Sequence, residues 1–151
     1  MDLDQVFRGF AASQGSTGTM IACLYTGSDF PSYCGPMPRD PVPQVGVRLD
    51  DQFHHHVSTA IKLNPSVHDG AIMIGRRSMN DFYEITGWSF RLFAPDHGEL
   101  SPVNRGSAFN SCFAIAQGND IDRVYLHSAG QMHLFINGMH RLIYGGSSPT
   151  K

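Results

Sequence analysis

The run Ala71-Ile72-Met73-Ile74-Gly75, entered through Asp69-Gly70, constrains this chain more than any other stretch. A continuous apolar segment of that length reads as a central strand buried on both faces. Such a strand normally presents a ligand or a catalytic group at its end, where neighbouring loops form a crevice. Asp69 supplies a metal-capable anion there, and Gly70 a place where another backbone or a base can approach closely. The same dipeptide is also a common turn, in which Asp69 caps and Gly70 relieves the backbone.

With 151 residues, 41% hydrophobic and 16% charged, the chain suits one domain with a full core. Its formal charge of -2 and the lack of a basic stripe argue against broad attraction to nucleic acid or an anionic membrane surface. The opening Met1-Asp2-Leu3-Asp4 resembles neither a secretory signal nor a transit peptide, no stretch has the length of a membrane span, and the cytoplasm is the expected compartment. Three cysteines show no metal-like spacing. Cys23 and Cys112 fall in apolar segments, which leaves Cys34, in a loop, as the one candidate for a reactive thiol.

Leu3, Val6, Phe7, Phe10 and Ala11 recur at helical spacing and predict an opening helix that ends before Gly15. Residues 19–25 read as a buried strand. Five prolines then make residues 27–44 irregular, a loop whose length suits a lid, a partner surface or a disordered insertion. A short strand over 45–48 precedes a second helix marked by Leu49, Phe53, Val57, Ala60 and Ile61, with Asp50 and Asp51 in its first turn and Asn64-Pro65 as its stop. The triplet His54-His55-His56 invites a metal reading, yet successive helical side chains point about 100° apart and do not converge on one ion.

Residues 82–93 predict one or two strands interrupted at Gly87, with Trp88 in the core or on a pocket wall. A second loop spans 94–106. A third helix begins at Ser107, burying Phe109, Cys112, Phe113 and Ala116, and stops at Gly118-Asn119. Three strands follow over 123–127, 132–136 and 139–144, turning at Ala129-Gly130 and Asn137-Gly138. The fold expected is a single α/β or α+β domain over residues 1–144, a mixed sheet of about six or seven strands flanked by three main helices, with a flexible tail over 145–151.

Two features can meet at one end of that sheet: Asp69-Gly70-Ala71 entering the central strand, and Asn104-Arg105-Gly106-Ser107-Ala108-Phe109-Asn110 opening the third helix. Together they offer a carboxylate for a cation or hydroxyl, backbone donors and a hydroxyl for an anion, and apolar walls for a ring. Gly106-Ser107 is also what helix capping alone predicts.

The segment from His68 to Ile74 resembles the Asp-Gly-Ala motif of the diadenylate cyclase domain superfamily, of the DisA N-terminal type. Gly106-Ser107-Ala108-Phe109-Asn110 falls where that family carries Gly-Thr-Arg-His-Arg, and the order of elements is similar over about residues 2–144. The resemblance implies that Asp69 holds a divalent metal and the attacking ribose hydroxyl, that Gly70 and Ala71 let a base pack against backbone, and that Ser107 stands for the threonine hydroxyl. Magnesium or manganese enters only with a bound nucleotide phosphate. Ala108, Phe109 and Asn110 depart from the pattern, replacing two guanidinium groups and an imidazole that would neutralise a triphosphate. Arg105 and Arg91 are the candidates to substitute.

The chain is therefore similar to the degenerate branch of that superfamily, domains proposed as nucleotide sensors in bacterial conflict and stress systems. The expected function is a non-catalytic domain that binds an adenine-type nucleotide through Asp69, Gly70, Ala71, Arg105, Gly106, Ser107, Phe109 and Asn110, with a partner effector in another chain. The alternatives are a divergent diadenylate cyclase or nucleotidyltransferase with a metal at Asp69, and an interaction scaffold that kept the fold and lost the pocket.

Overall fold

The computed structural model describes residues 1–14, 18–93 and 106–145. Its centre is a parallel pair, β1 (Met20–Thr26) against β4 (Ala71–Arg76), and every other pairing in the sheet is antiparallel. The strand order is β2-β5-β4-β1-β6-β7-β8, with β3 (Val47–Arg48) also on β5. Here β2 is Cys34–Pro36, β5 Glu84–Leu92, β6 Ile121–Ser128, β7 Gln131–Ile136 and β8 Met139–Tyr144.

Alternation along β1 and β4 divides the core in two. Ala22, Leu24, Ile72 and Ile74 face α1 (Leu3–Gln14) and α2 (Phe53–Leu63), whereas Cys23, Ala71 and Met73 face α3 (Ser107–Ile115). Residues 71–74 are almost completely buried at the centre of the sheet, as their apolar continuity requires. Over the described residues the result is one mixed α+β domain of eight strands and three main helices. Among the described residues no helix is long and apolar enough to cross a membrane.

The helical stripes behave as their spacing dictates: α1 buries Phe7, Phe10 and Ala11, and α2 buries Phe53, Val57 and Ala60. Phe7 stacks on Tyr125 with ring centroids 3.8 Å apart and also meets Phe53 at 5.1 Å. Above that stack Asp4 accepts the Tyr125 hydroxyl and pairs with Arg123 and Arg141, which ties α1 to β6 and β8.

Three details differ from the sequence reading. The proline-rich stretch contains the short strand β2, tolerated because Pro36, which has no N–H, ends a strand at the sheet edge. Asp50 and Asp51 precede α2 rather than sit in its first turn, and Asp50 Oδ1 accepts the Gln52 N–H at 2.9 Å in a local turn. Residues 84–92 form one strand that passes Gly87 through a register shift, with Ser89 at φ 59°. The expected tail, apart from Gly145, lies outside the described residues.

Deleting the Phe7 ring would open a cavity beneath Tyr125 and Phe53, so Phe7→Ala should cost about 3–5 kcal/mol in urea unfolding at neutral pH. A loss under about 1 kcal/mol would show that α1 does not hold this core. Tyr83 gives a second expectation. Burial, reinforced by donation to the Asp122 carboxylate, pushes its hydroxyl up to about 12. A raised folded-state value means that its contribution is complete below the ordinary tyrosine value and is lost as pH climbs through the folded one. Stability should therefore fall between about pH 10 and 12, and Tyr83→Phe should flatten part of that fall. An unchanged alkaline slope in the variant would assign the fall to other groups.

Candidate functional site

The approach to β4 is built from the end of α2. Asn64 stops the helix and caps a 3-10 turn over Pro65–His68, its side chain accepting the Ser66 N–H at 3.2 Å. Asp69 follows with extended backbone, and Gly70 then takes φ 92° to turn the chain into the sheet. A Cβ on Gly70 would stand 2.6 Å from Met37 Cε and 2.9 Å from the Ser89 carbonyl carbon. Both the backbone angle and the close approach of β5 therefore demand glycine here. The Cβ position is filled by the protein itself, so the room Gly70 leaves is used by packing and not kept for a base.

On the other side Gly106 stands at the N-cap of α3 with φ 97° and no side-chain cap, and Ser107 is the first helical residue. Ser107, Ala108 and Ser111 share one helical face, which lines a cleft of about 280 Å³ together with Asp69, Gly70, Ala71 and Arg91. Asp69 and Ser107, far apart in the chain, are thus brought together. Met37, from the proline-rich stretch, closes one wall.

The other candidates fall elsewhere. Two positions along a helix turn a side chain by about 200°, so with Ser107 on the cleft Phe109 must face the sheet. Its ring packs edge-on against Phe135 at 4.9 Å, beside His133 and His140; it is buried there and lines the groove next to the cleft rather than the cleft itself. Asn110 is half-buried on α3 and is not brought to the cleft wall. Gly106 lines an adjoining groove between α3 and the β6–β7 turn. Arg105 lies outside the described residues.

One charged group that the sequence did not single out stands next to Asp69. Arg39 leaves the proline-rich stretch and reaches under the 3-10 turn, sharing its Nε–H between the Ser66 carbonyl and the Ser89 hydroxyl, each at 3.2 Å. Nη1 donates to the Pro38 carbonyl at 3.0 Å, and Nη2 donates to Asp69 Oδ2 at 3.4 Å. The guanidinium is 20% exposed and the carboxylate 69%. Such a pair adds about 0–1 kcal/mol to stability. Its consequence for the site is electrostatic: the carboxylate already has a cation. No local pattern in an irregular stretch announces such an arginine.

The residues around Asp69 do not fit a divalent ion. One carboxylate already facing a guanidinium is a poor hard-cation ligand set, and no group of three His, Cys, Asp or Glu side chains able to hold a metal occurs among the described residues. The histidine triplet does not converge either, since His54 and His55 stack at 4.1 Å and His56 leans to Asp50 at 3.8 Å. Cys34 donates to the Pro31 carbonyl and burial pushes its thiol up to about 11, which removes thiolate at neutral pH.

No protein-family model matches the sequence, and no curated protein matches it significantly. Solved structures share the fold. The hypothetical membrane spanning protein from Bacillus cereus aligns with a TM-score of 0.62 at 14% identity over 94% of this chain and 61% of that one. DacA from Staphylococcus aureus aligns with a TM-score of 0.54 at 13% identity over 95% of this chain and 84% of that one. The chain thus spans 61% of the length of the first of these structures. At such identities the likeness shows the fold, which is similar to that of DacA.

Both glycines of the site have a positive φ, but only Gly70 is also crowded. Gly70→Ala should therefore destabilise by about 1–3 kcal/mol more than Gly106→Ala, the usual cost of overpacking. Equal losses in denaturant unfolding would show that Met37 and β5 yield freely.

Proposed function

We propose that this chain is a non-catalytic nucleotide-binding domain, a sensor that takes an adenine-type nucleotide between Asp69 and Ser107. The observation that carries the reading is the convergence of these two residues on one cleft, in a fold similar to that of a diadenylate cyclase. A carboxylate accepts N–H or O–H donors, the Ser107 and Ser111 hydroxyls and the first N–H groups of α3 would serve an anion, and Ala71 and Leu92 give apolar wall. At about 280 Å³ the cleft has room for a base and a sugar.

The non-catalytic part rests on what stands where the resemblance places Arg-His-Arg. Ala108 presents a methyl group to the cleft and Phe109 turns into the core, so neither offers a charge to a transferring phosphoryl group. In-line displacement depends on preorganised cations, and losing one typically slows such a reaction by about 10³-fold or more. A sensor needs only affinity and a population shift. One observation favours the cyclase reading instead: Arg91 does line the cleft. The scaffold reading would be supported by an apolar residue such as Phe109 filling the cleft, and Phe109 does not line it. A bound ligand's signal would pass to a partner effector in another chain.

A thermal-shift screen of nucleotides with and without magnesium or manganese tests the proposal, because a ligand that binds only the folded state raises stability by RT ln(1 + [L]/Kd). An adenine nucleotide should stabilise the protein, Ser107→Ala should weaken its binding by about 0.5–1.5 kcal/mol in calorimetric titration, and ATP with manganese should give no diadenylate. Turnover abolished by Asp69→Asn would establish the cyclase reading; equal affinity in wild type and Ser107→Ala would move the ligand out of this cleft.

A further inference from the structure

The proline-rich stretch and the Asp69 carboxylate have no evident reason to meet, yet Arg39 is delivered to that carboxylate by a set of contacts that leaves it little freedom. Three acceptors other than Asp69 hold the guanidinium: the Ser66 and Pro38 carbonyls and the Ser89 hydroxyl. Ser66 belongs to the 3-10 turn and Ser89 to the irregular point of β5, so two elements that build the cleft also fix the arginine. The neighbouring chain is fastened as well, since Asn64 Nδ2 donates to the Pro41 carbonyl and the Met37 N–H donates to the Ser89 carbonyl. Asp69 contributes the weakest of these contacts, at 3.4 Å, and most of its carboxylate faces solvent. The arginine is therefore positioned by the scaffold and presented to the aspartate, rather than drawn in by it.

We propose that Arg39 is the resident cation of Asp69, set against the carboxylate oxygen Oδ2, so that this site excludes metal and binds its ligand without it. A guanidinium this close repels a second cation, and unlike an ion it does not exchange with solvent. Its fixed positive charge beside Asp69 suits a singly phosphorylated or uncharged ligand over a metal-bound triphosphate. The ligand half of this inference rests on the nucleotide reading above; the exclusion of metal does not.

Manganese-induced broadening of backbone amide signals in the ligand-free protein tests the exclusion directly. In the wild type the Gly70 and Ala71 amides should broaden no more than amides beside other exposed carboxylates. Arg39→Gln removes the charge and keeps hydrogen-bonding capacity, and should make that broadening selective by about threefold or more. The effect should vanish in Arg39→Gln/Asp69→Asn, and Arg39→Lys, which restores the charge, should resemble the wild type. Selective broadening in the wild type overturns the proposal, and so does its absence in a folded Arg39→Gln variant. Adenosine monophosphate tests the ligand half: its affinity should change by less than about twofold between magnesium and EDTA, whereas a tenfold rise with magnesium would overturn the metal-free site. Failure of every nucleotide to bind would sink the nucleotide reading, with the manganese comparison still deciding the role of Arg39.

Discussion

Everything in this structure depends on burying β4 from both sides. A strand with no polar face cannot lie at the surface, so the chain must supply apolar cover twice: α1 and α2 on one side, α3 on the other. That requirement also fixes where the sheet can be functional. Along Ala71 to Ile74 there is no accessible side chain, and polar groups can gather only where the strand begins or ends. At its beginning, the turn through Asp69 and Gly70 meets the first turn of α3. The cleft is thus a consequence of the layering as much as of the residues that line it.

Gly70 shows how closely packing and site are joined. Its positive φ turns the carboxylate of Asp69 out of the sheet, and its missing side chain lets Met37 and the β5 backbone come up against it. Met37 lies two residues before Arg39, so the same approach that crowds Gly70 brings the guanidinium to Asp69. A change at Gly70 would therefore disturb folding and the charge balance of the cleft together. For that reason Ser107, whose side chain faces the cleft at the first turn of α3, is the cleaner probe of binding.

The fold was legible wherever the pattern was local. Apolar spacing marked all three helices, the run 71–74 marked the central strand, and Asn137-Gly138 marked a hairpin whose two turn residues both have positive φ. What could not be read came from long-range contact. β2 is a strand only because β5 offers it an edge, and its proline hides it from any propensity argument. Within the candidate site, Asp69, Gly70, Ala71 and Ser107 were visible in the sequence and converge. Phe109 is buried on α3 as its stripe predicts, and the helical turn that separates it from Ser107 keeps it off the Asp69 cleft. Arg39 was invisible, since nothing in residues 27–44 tells which of its polar side chains the tertiary fold will choose.

The charge of the cleft is where likeness of fold and likeness of chemistry part. A fold similar to that of DacA places a carboxylate and a helix N-terminus together, and those two features serve recognition and catalysis alike. What separates the two is where the cations stand. Catalysis of phosphoryl transfer needs them around the group in motion. This chain holds Arg39 beside Asp69, tied to backbone and a serine hydroxyl, while Arg91 lines the cleft itself. On the proposed sensor reading, a guanidinium that stands away from the group in motion would interact alike with ground and transition states, and an interaction of that kind raises affinity without lowering a barrier.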